Sequence, residues 1–292
     1  MIFDNMMTLP DAWVAALQYG LPQHALSQLM SRLTHATHPI IKNLLIKEVV
    51  QRYHVDISEA LEQDPSAFKS FNDFFTRELK AEARPITTEN RALASPADGV
   101  VSQAGQISEG AIFQAKGKQF NVVDLLGGDP KLAAPFLDGA FATIYLSPRD
   151  YHRLHMPLTG TLTEMVHVPG RLFSVNAATT RSVPGLFARN ERVCCFFETD
   201  AGAMALVLVG AIFVSSIETV WHGVVTPPTT NTVKHWSYSG QQAPRLVIGQ
   251  EMGRFNMGST IIVLFGKEAT QWQDDFVAGK AVKVGEKIGQ IS

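Results

Sequence analysis

A chain of 292 residues is long enough for one large domain or two small ones, and 46% hydrophobic with 18% charged residues suits a globular protein with a sizeable core. A formal net charge of −2 gives no global attraction to nucleic acid or another polyanion. The longest apolar run, Ala203 to Val214, is too short to cross a bilayer at roughly 20 residues per helix, and Met1-Ile2-Phe3-Asp4 lacks the order of a secretory signal. The chain is therefore expected to be soluble or to lie on a membrane surface.

The first eighty or so residues read as helical. Leu26, Leu29, Met30 and Leu33 follow the spacing of one helix face, and Pro22 stands where a helix can start. A second helix is expected after Pro39, with Ile40, Ile41, Leu44, Leu45, Val49 and Val50 on a broad apolar face and Lys42, Lys47 and Arg52 interleaved. Such faces suit either two helices packed on a shared core or an interfacial pair on an anionic membrane. Ser70 is expected to cap a short helix beginning at Phe71, with Asp73 three residues on. The polar stretch Arg84 to Asn90 has no periodicity and reads as a linker, which divides the chain into a helical region, 1–84, and a second part, 85–292.

Beyond the linker the signals turn to strands punctuated by Gly and Pro: 99–102, 141–146, 160–166, 192–198, 203–214, 223–225 and 259–264. Many short strands argue a β-sandwich or partly open barrel, and helices confined to the N-terminus make the whole chain α+β. The 94–101 and 282–289 stretches are similar to the paired strands of biotinyl or lipoyl carrier domains. No lysine stands on an exposed hairpin tip between them, so this is a shared strand arrangement and not a carrier function. Cys194 and Cys195 are adjacent in an apolar run, and neighbouring strand residues point to opposite faces. They fit core packing in a reducing compartment better than a disulfide or a metal site.

Candidate chemistry centres on Met257-Gly258-Ser259-Thr260, between a polar glycine-bearing run and the apolar Ile261 to Phe265. A glycine leaves its carbonyl unshielded, and the serine hydroxyl after it can reach back to that carbonyl. For the tripeptide alone, a turn opening a strand is the ordinary account. His152 and His155 form a His-x-x-His pair, but no Cys or acidic ligand stands nearby at a familiar spacing and Arg153 lies between them, so no metal is assigned.

The wider surroundings resemble the pyruvoyl-dependent phosphatidylserine decarboxylase family. The resemblance runs through Phe71-Asn72-Asp73-Phe74-Phe75-Thr76-Arg77, Ser95-Pro96-Ala97-Asp98-Gly99, Leu146 to Pro157, Val168 to Asn176, Asn190-Glu191-Arg192-Val193, Glu251 to Phe255 and Gly258-Ser259-Thr260. It implies a self-cleaving proenzyme with an Asp98, His155 and Ser259 triad. Ser259 attacks the Gly258 carbonyl to convert amide to ester, elimination frees a chain 1–258, and the dehydroalanine left at 259 becomes a pyruvoyl group on a chain 259–292, with release of ammonia. The pyruvoyl cofactor then forms a Schiff base with phosphatidylserine and accepts the electrons left by carbon dioxide, giving phosphatidylethanolamine. By the same resemblance His152 serves decarboxylation as a proton donor or substrate ligand. The implied partners are the lipid and a membrane surface, with peripheral attachment at the cytoplasmic face of the cell membrane and room for a homo-oligomer. Three positions depart from the family pattern: Met257 for a usual Leu, Ser215 for a usual Gly and Ile248 for a usual Lys. A serine hydrolase using the same three residues on an external ester is the second reading, weakened by the lack of a Gly-x-Ser-x-Gly elbow. A catalytically silent carrier or membrane-binding module is the third.

Overall fold

The computed structural model of the protein describes residue 16 and residues 18–212, 216–227, 231–256 and 260–292. Ser215, Met257, Gly258 and Ser259 lie outside the described residues.

Helix α1 (Gln23–Thr34) is preceded by Pro22, and α2 (Pro39–Tyr53) begins on its proline, where the missing N–H costs nothing. Only part of their apolar surface meets a core: Leu45, Ile46, Val49 and Val50 of α2 pack inward, while other apolar residues face out. In α1 the buried residues are Gln23, Ser27 and Thr34, while Leu29 is 64% exposed. In α2 Ile40 and Leu44 stand in the open at 74% and 65%, and the buried pair is Lys42 and Ile46. Lys42 tolerates burial because its ammonium donates to the Ser66 carbonyl at 2.6 Å. Ile46 meets Phe68, Phe71, Phe74 and Phe75, which form a small separate core around α3 (Phe71–Phe75). Ser70 caps α3, its hydroxyl accepting from the Asp73 amide at 3.1 Å, as the sequence leads one to expect.

The remainder is several antiparallel sheets with no closed barrel among the described residues. The largest has nine strands, with Thr260–Phe265 in its interior between Gly202–Val209 and Ala140–Tyr145. Beyond Gly202–Val209 come Arg192–Thr199 and Gly160–Val168, the latter paired with both Lys234–Ser237 and Arg245–Leu246; beyond Ala140–Tyr145 come Gly99–Gln106 and Ala281–Val282. All six residues of Thr260–Phe265 are buried, which explains why this strand reads as an unbroken β-branched and apolar run and not as an alternation.

Each face of this sheet carries its own core. On one, Leu206, Leu208, Ile261 and Val263 pack with Leu154, Ile217, Met252 and Phe255 of a four-stranded sheet made by Gly223–Val224, Ile217–Thr219, Glu251–Phe255 and Arg153–His155. On the other, Val207, Ile262 and Leu264 pack with Leu125, Phe136 and Phe187 from short helical segments. Cys194 belongs to the second core and Cys195 to the first, in keeping with strand alternation. Both are buried free thiols pushed well up by burial, Cys194 to about 12, and so remain unreactive. The strands resembling carrier halves do pair, Gly99 with Val282 and Ala94 with Lys287.

The phenylalanine cluster is the core of the helical region. Phe74 is fully buried there, so Phe74→Ala should cost about 3–5 kcal/mol, the loss for a large aromatic removed from a core. Equilibrium urea unfolding measures this, and a loss below about 1 kcal/mol would show that the cluster is not a packed core.

Candidate functional site

Thr260 is the first described residue after Ser259 in the sequence, and its surroundings define the candidate site. Across the sheet, Thr260 lies in register with Val209 and Tyr145, and Val209 with Arg192. One residue further out, the Gly210 amide donates to the Glu191 carbonyl at 2.8 Å, so the ladder continues past Thr260's neighbours. Asn190 fastens this end: its amide nitrogen donates to the carbonyls of Phe173 and Gly210 and its oxygen accepts from the Phe173 amide.

His155 ends a short strand of the four-stranded sheet, its amide bound to the Pro96 carbonyl at 2.9 Å. Its Nδ1 lies 2.8 Å from the Gly249 carbonyl oxygen and its Nε2 lies 3.2 Å from the Tyr151 hydroxyl. A carbonyl can only accept, so Nδ1 carries the proton and donates. Burial lowers the pKa of this imidazole and favours its neutral form, in which Nε2 holds a lone pair and accepts from Tyr151. That is the tautomer a serine base requires. Burial in turn raises the Tyr151 phenol to about 12, so it remains a donor.

Asp98 does not orient His155 through a hydrogen bond, although the family triad suggests that pairing. Its carboxylate accepts from Arg84 at 2.8 Å (Nε to Oδ1) and 2.5 Å (Nη2 to Oδ2), and from the Val284 amide at 2.8 Å. Arg84 also donates to Glu59 at 2.8 Å and Lys283 to Glu59 at 2.9 Å. The hydrogen bond from Arg84 holds Glu59 down at about 2. Asp98 reaches His155 only as a nearby negative charge that favours its protonated form. The tautomer-fixing contact comes from the Gly249 backbone.

His152 is wholly buried, its ring centred 4.0 Å from that of Phe75. Its Nδ1 donates to the Asp150 carbonyl at 2.8 Å, and its Nε2 has no partner among the described residues. Burial first, with the Arg77 charge adding to it, takes its pKa down to about 3. His152 is thus a neutral acceptor at ordinary pH, and it must gain a proton before it can give one. The Thr260 hydroxyl is likewise buried and has no partner among the described residues.

Several contributors escape a reading of the sequence. Tyr151, the Gly249 carbonyl, Arg84 and Phe75 act through contacts that motif spacing does not encode. So does the chain in which Asn72 Nδ2 donates to Asn256 Oδ1 at 3.0 Å and Asn256 donates to the Ser216 hydroxyl. Membership of the same quoted blocks was the available signal for Asn72, Phe75 and Tyr151. Ile248, one of the departures from the family pattern, donates its amide to the Thr159 hydroxyl at 3.0 Å, a contact that any residue but proline could make.

The model of a family described as phosphatidylserine decarboxylase matches residues 71–290, and a second, described as PSD, matches residues 14–54. Among curated relatives, the phosphatidylserine decarboxylase proenzyme of Bordetella pertussis is 57% identical over 283 residues, covering 97% of this chain and 95% of that protein. Proteins of the same name from Methylococcus capsulatus and Azotobacter vinelandii are each 53% identical, over 97% and 94% of this chain and 98% and 96% of theirs.

The buried imidazole makes stability depend on pH. His152 is held at about 3 when folded against an ordinary 6.5, so the unfolded chain takes up its proton first. Its contribution is complete above about pH 6.5 and declines as pH falls toward 3. Between pH 7 and pH 5 the parent should lose about 2 kcal/mol more than His152→Gln in urea titrations. Equal losses in the two proteins would mean that His152 is not held neutral.

Proposed function

Because the chain belongs to the phosphatidylserine decarboxylase family, and is by that membership an enzyme that decarboxylates phosphatidylserine, we propose that it works through a pyruvoyl group made from its own Ser259 by cleavage at Gly258. The observation that carries this reading is a buried His155 held neutral, with its proton fixed on Nδ1 by Gly249 and its amide bound to Pro96 in the block that holds Asp98. The Nε2 lone pair then takes the Ser259 proton once Tyr151 gives way, and the Asp98 charge nearby stabilises the imidazolium that results. The Ser259 oxygen attacks the Gly258 carbonyl, and His155 returns the proton to the departing nitrogen. Elimination from the resulting ester, with loss of the Ser259 α-proton, frees chain 1–258 from chain 259–292, and the second stays in place through the strand pairings on both sides of Thr260–Phe265.

The pyruvoyl carbonyl supplies an electron sink for the pair released with carbon dioxide. The protein's part is to bind, orient and move one proton. His152, neutral beforehand, accepts a proton through Nε2 as the substrate amine and carboxylate enter, since a carboxylate nearby raises an imidazole pKa. It returns that proton to the former α-carbon. Phe75 packed against the ring and the Asp150 carbonyl on Nδ1 hold it in place for this.

Residues 1–84 are the membrane-associating part and 85–292 the catalytic part in this reading, with the protein peripheral on the cytoplasmic face. No helix among the described residues is long and apolar enough to cross a membrane. Outward-facing Leu29, Leu33, Ile40, Ile41 and Leu44, together with the nearby Leu61, suit the acyl boundary of a bilayer.

Two outcomes are expected. His155→Ala should cleave on the order of 10²-fold more slowly on denaturing gels, whereas His152→Ala should still form two chains yet release carbon dioxide from phosphatidylserine about 10²-fold more slowly. Parental decarboxylation by the His152 variant would make that residue structural only. Ile40→Asp with Leu44→Asp should weaken binding to vesicles containing anionic lipid in flotation assays while leaving cleavage intact. Unchanged flotation would move these helices to an interface between proteins.

A further inference from the structure

The described residues on either side of the scissile bond are fixed in different ways. After it, Thr260 joins the large sheet at once, in register with Tyr145 and Val209. Before it, the strand Glu251–Phe255 runs past both imidazoles. Glu251 lies in register with His155, and the Phe255 amide donates to the His152 carbonyl at 3.0 Å. The strand ends at Phe255. Asn256 follows it, buried, with its amide donating to the Ser216 carbonyl at 3.0 Å. The third peptide bond after Asn256 is the one between Gly258 and Ser259.

Side chains complete this anchor, and one of them comes from the helical region. Asn72 Nδ2 donates to Asn256 Oδ1 at 3.0 Å, and Asn256 Nδ2 donates to the Ser216 hydroxyl. Asn72 belongs to α3, whose Phe71, Phe74 and Phe75 lie in the core of that region and whose Phe75 packs against His152. The Asn72 carbonyl receives the Thr76 amide at 2.9 Å and the Thr76 hydroxyl at 3.0 Å, and the Thr76 carbonyl accepts from Arg153 Nε at 2.9 Å. Asn72 is thus held both by its own helix and by the strand Arg153–His155. Its side chain offers Asn256 a fixed point.

We propose that Asn72 is a positioning residue for self-cleavage. Through Asn256 it sets where the chain approaches the Gly258–Ser259 bond, and so brings the Gly258 carbonyl within reach of the Ser259 hydroxyl. This rests on the pyruvoyl reading and adds to it a task for the helical region, which that reading otherwise uses at the membrane. Attack on a carbonyl is sensitive to geometry, and a displacement of about 1 Å costs on the order of 10²-fold in rate. Thr260 is fixed by two ladders, so the other approach is where a lost contact is felt. Cleavage then waits until α3 has docked on the sheet, and the chain is cut only after its helical region has folded.

Cell-free synthesis of the full chain, followed on denaturing gels, measures the rate of cutting. Asn72→Leu keeps the side-chain volume without the hydrogen bond, and should cut about ten-fold or more slowly than the parent. Asn72→Asp should stay within about three-fold of it. Asn256 can turn its amide over, donating to the carboxylate while its oxygen accepts from the Ser216 hydroxyl. Ser216→Ala removes the far end of the link, so combining it with Asn72→Leu should slow cutting no more than about two-fold beyond the slower single variant. Hydroxylamine cuts an ester, leaving a hydroxamate on Gly258 and a free Ser259 hydroxyl, and spares an amide. It should leave the uncut Asn72→Leu chain whole. Parental cutting by Asn72→Leu, or Asn72→Asp cutting no faster than Asn72→Leu, overturns the assignment and makes Asn72 a packing residue. So does fully additive slowing in the double variant. Release of chain 259–292 from Asn72→Leu by hydroxylamine overturns it as well, since attack on Gly258 would already have taken place. A parent chain that stays uncut removes the pyruvoyl reading itself, and this assignment with it.

Discussion

The pairing of Thr260–Phe265 with a strand on each side is the constraint on which the rest of the molecule depends. Six successive residues are matched to Gly202–Val209 on one edge and to Ala140–Tyr145 on the other, and their side chains fill both cores. A strand so placed cannot leave without exposing apolar surface on two faces and breaking two ladders. The chain can thus be cut just before this strand without loss of the fold. A Ser259-derived group at its head would be held by the body of the sheet. Val284 and Lys283, further along the same segment, bind Asp98 and Glu59 and fasten its other end.

The site combines buried neutral imidazoles with charges that are paired to one another. His155 and His152 each donate Nδ1–H to a backbone carbonyl, which leaves both Nε2 atoms as acceptors. Burial keeps both neutral. The strongly charged groups, Arg84, Asp98 and Glu59, satisfy one another close by and so avoid the cost of unpaired burial. Such a division suits two successive tasks: a base that must be free at the outset, and a second imidazole whose protonation waits for an incoming carboxylate.

Much of this was legible in the chain itself. The Ser70 cap, Pro39 at the start of a helix, the strands with their glycine and proline stops, and the two cysteines on opposite faces all follow from local rules. What local rules could not supply was which face of a helix meets the body. The stripe Leu26, Leu29, Met30 and Leu33 is real, yet Gln23 and Ser27 are the residues turned inward, because Gln23 accepts from the Leu172 amide at 2.9 Å and so docks the polar side. Arg84 read as the start of a polar linker, and only the fold brings it to Asp98. Nor could composition show that His152 is fully buried against Phe75, which decides its charge.

Intact-mass measurement of the purified protein under denaturing conditions tests the pyruvoyl mechanism most directly. The expected result is two chains, 1–258 and 259–292, the smaller lacking a free N-terminal amine and carrying a ketone that borohydride reduces. A single unmodified chain of 292 residues would contradict it.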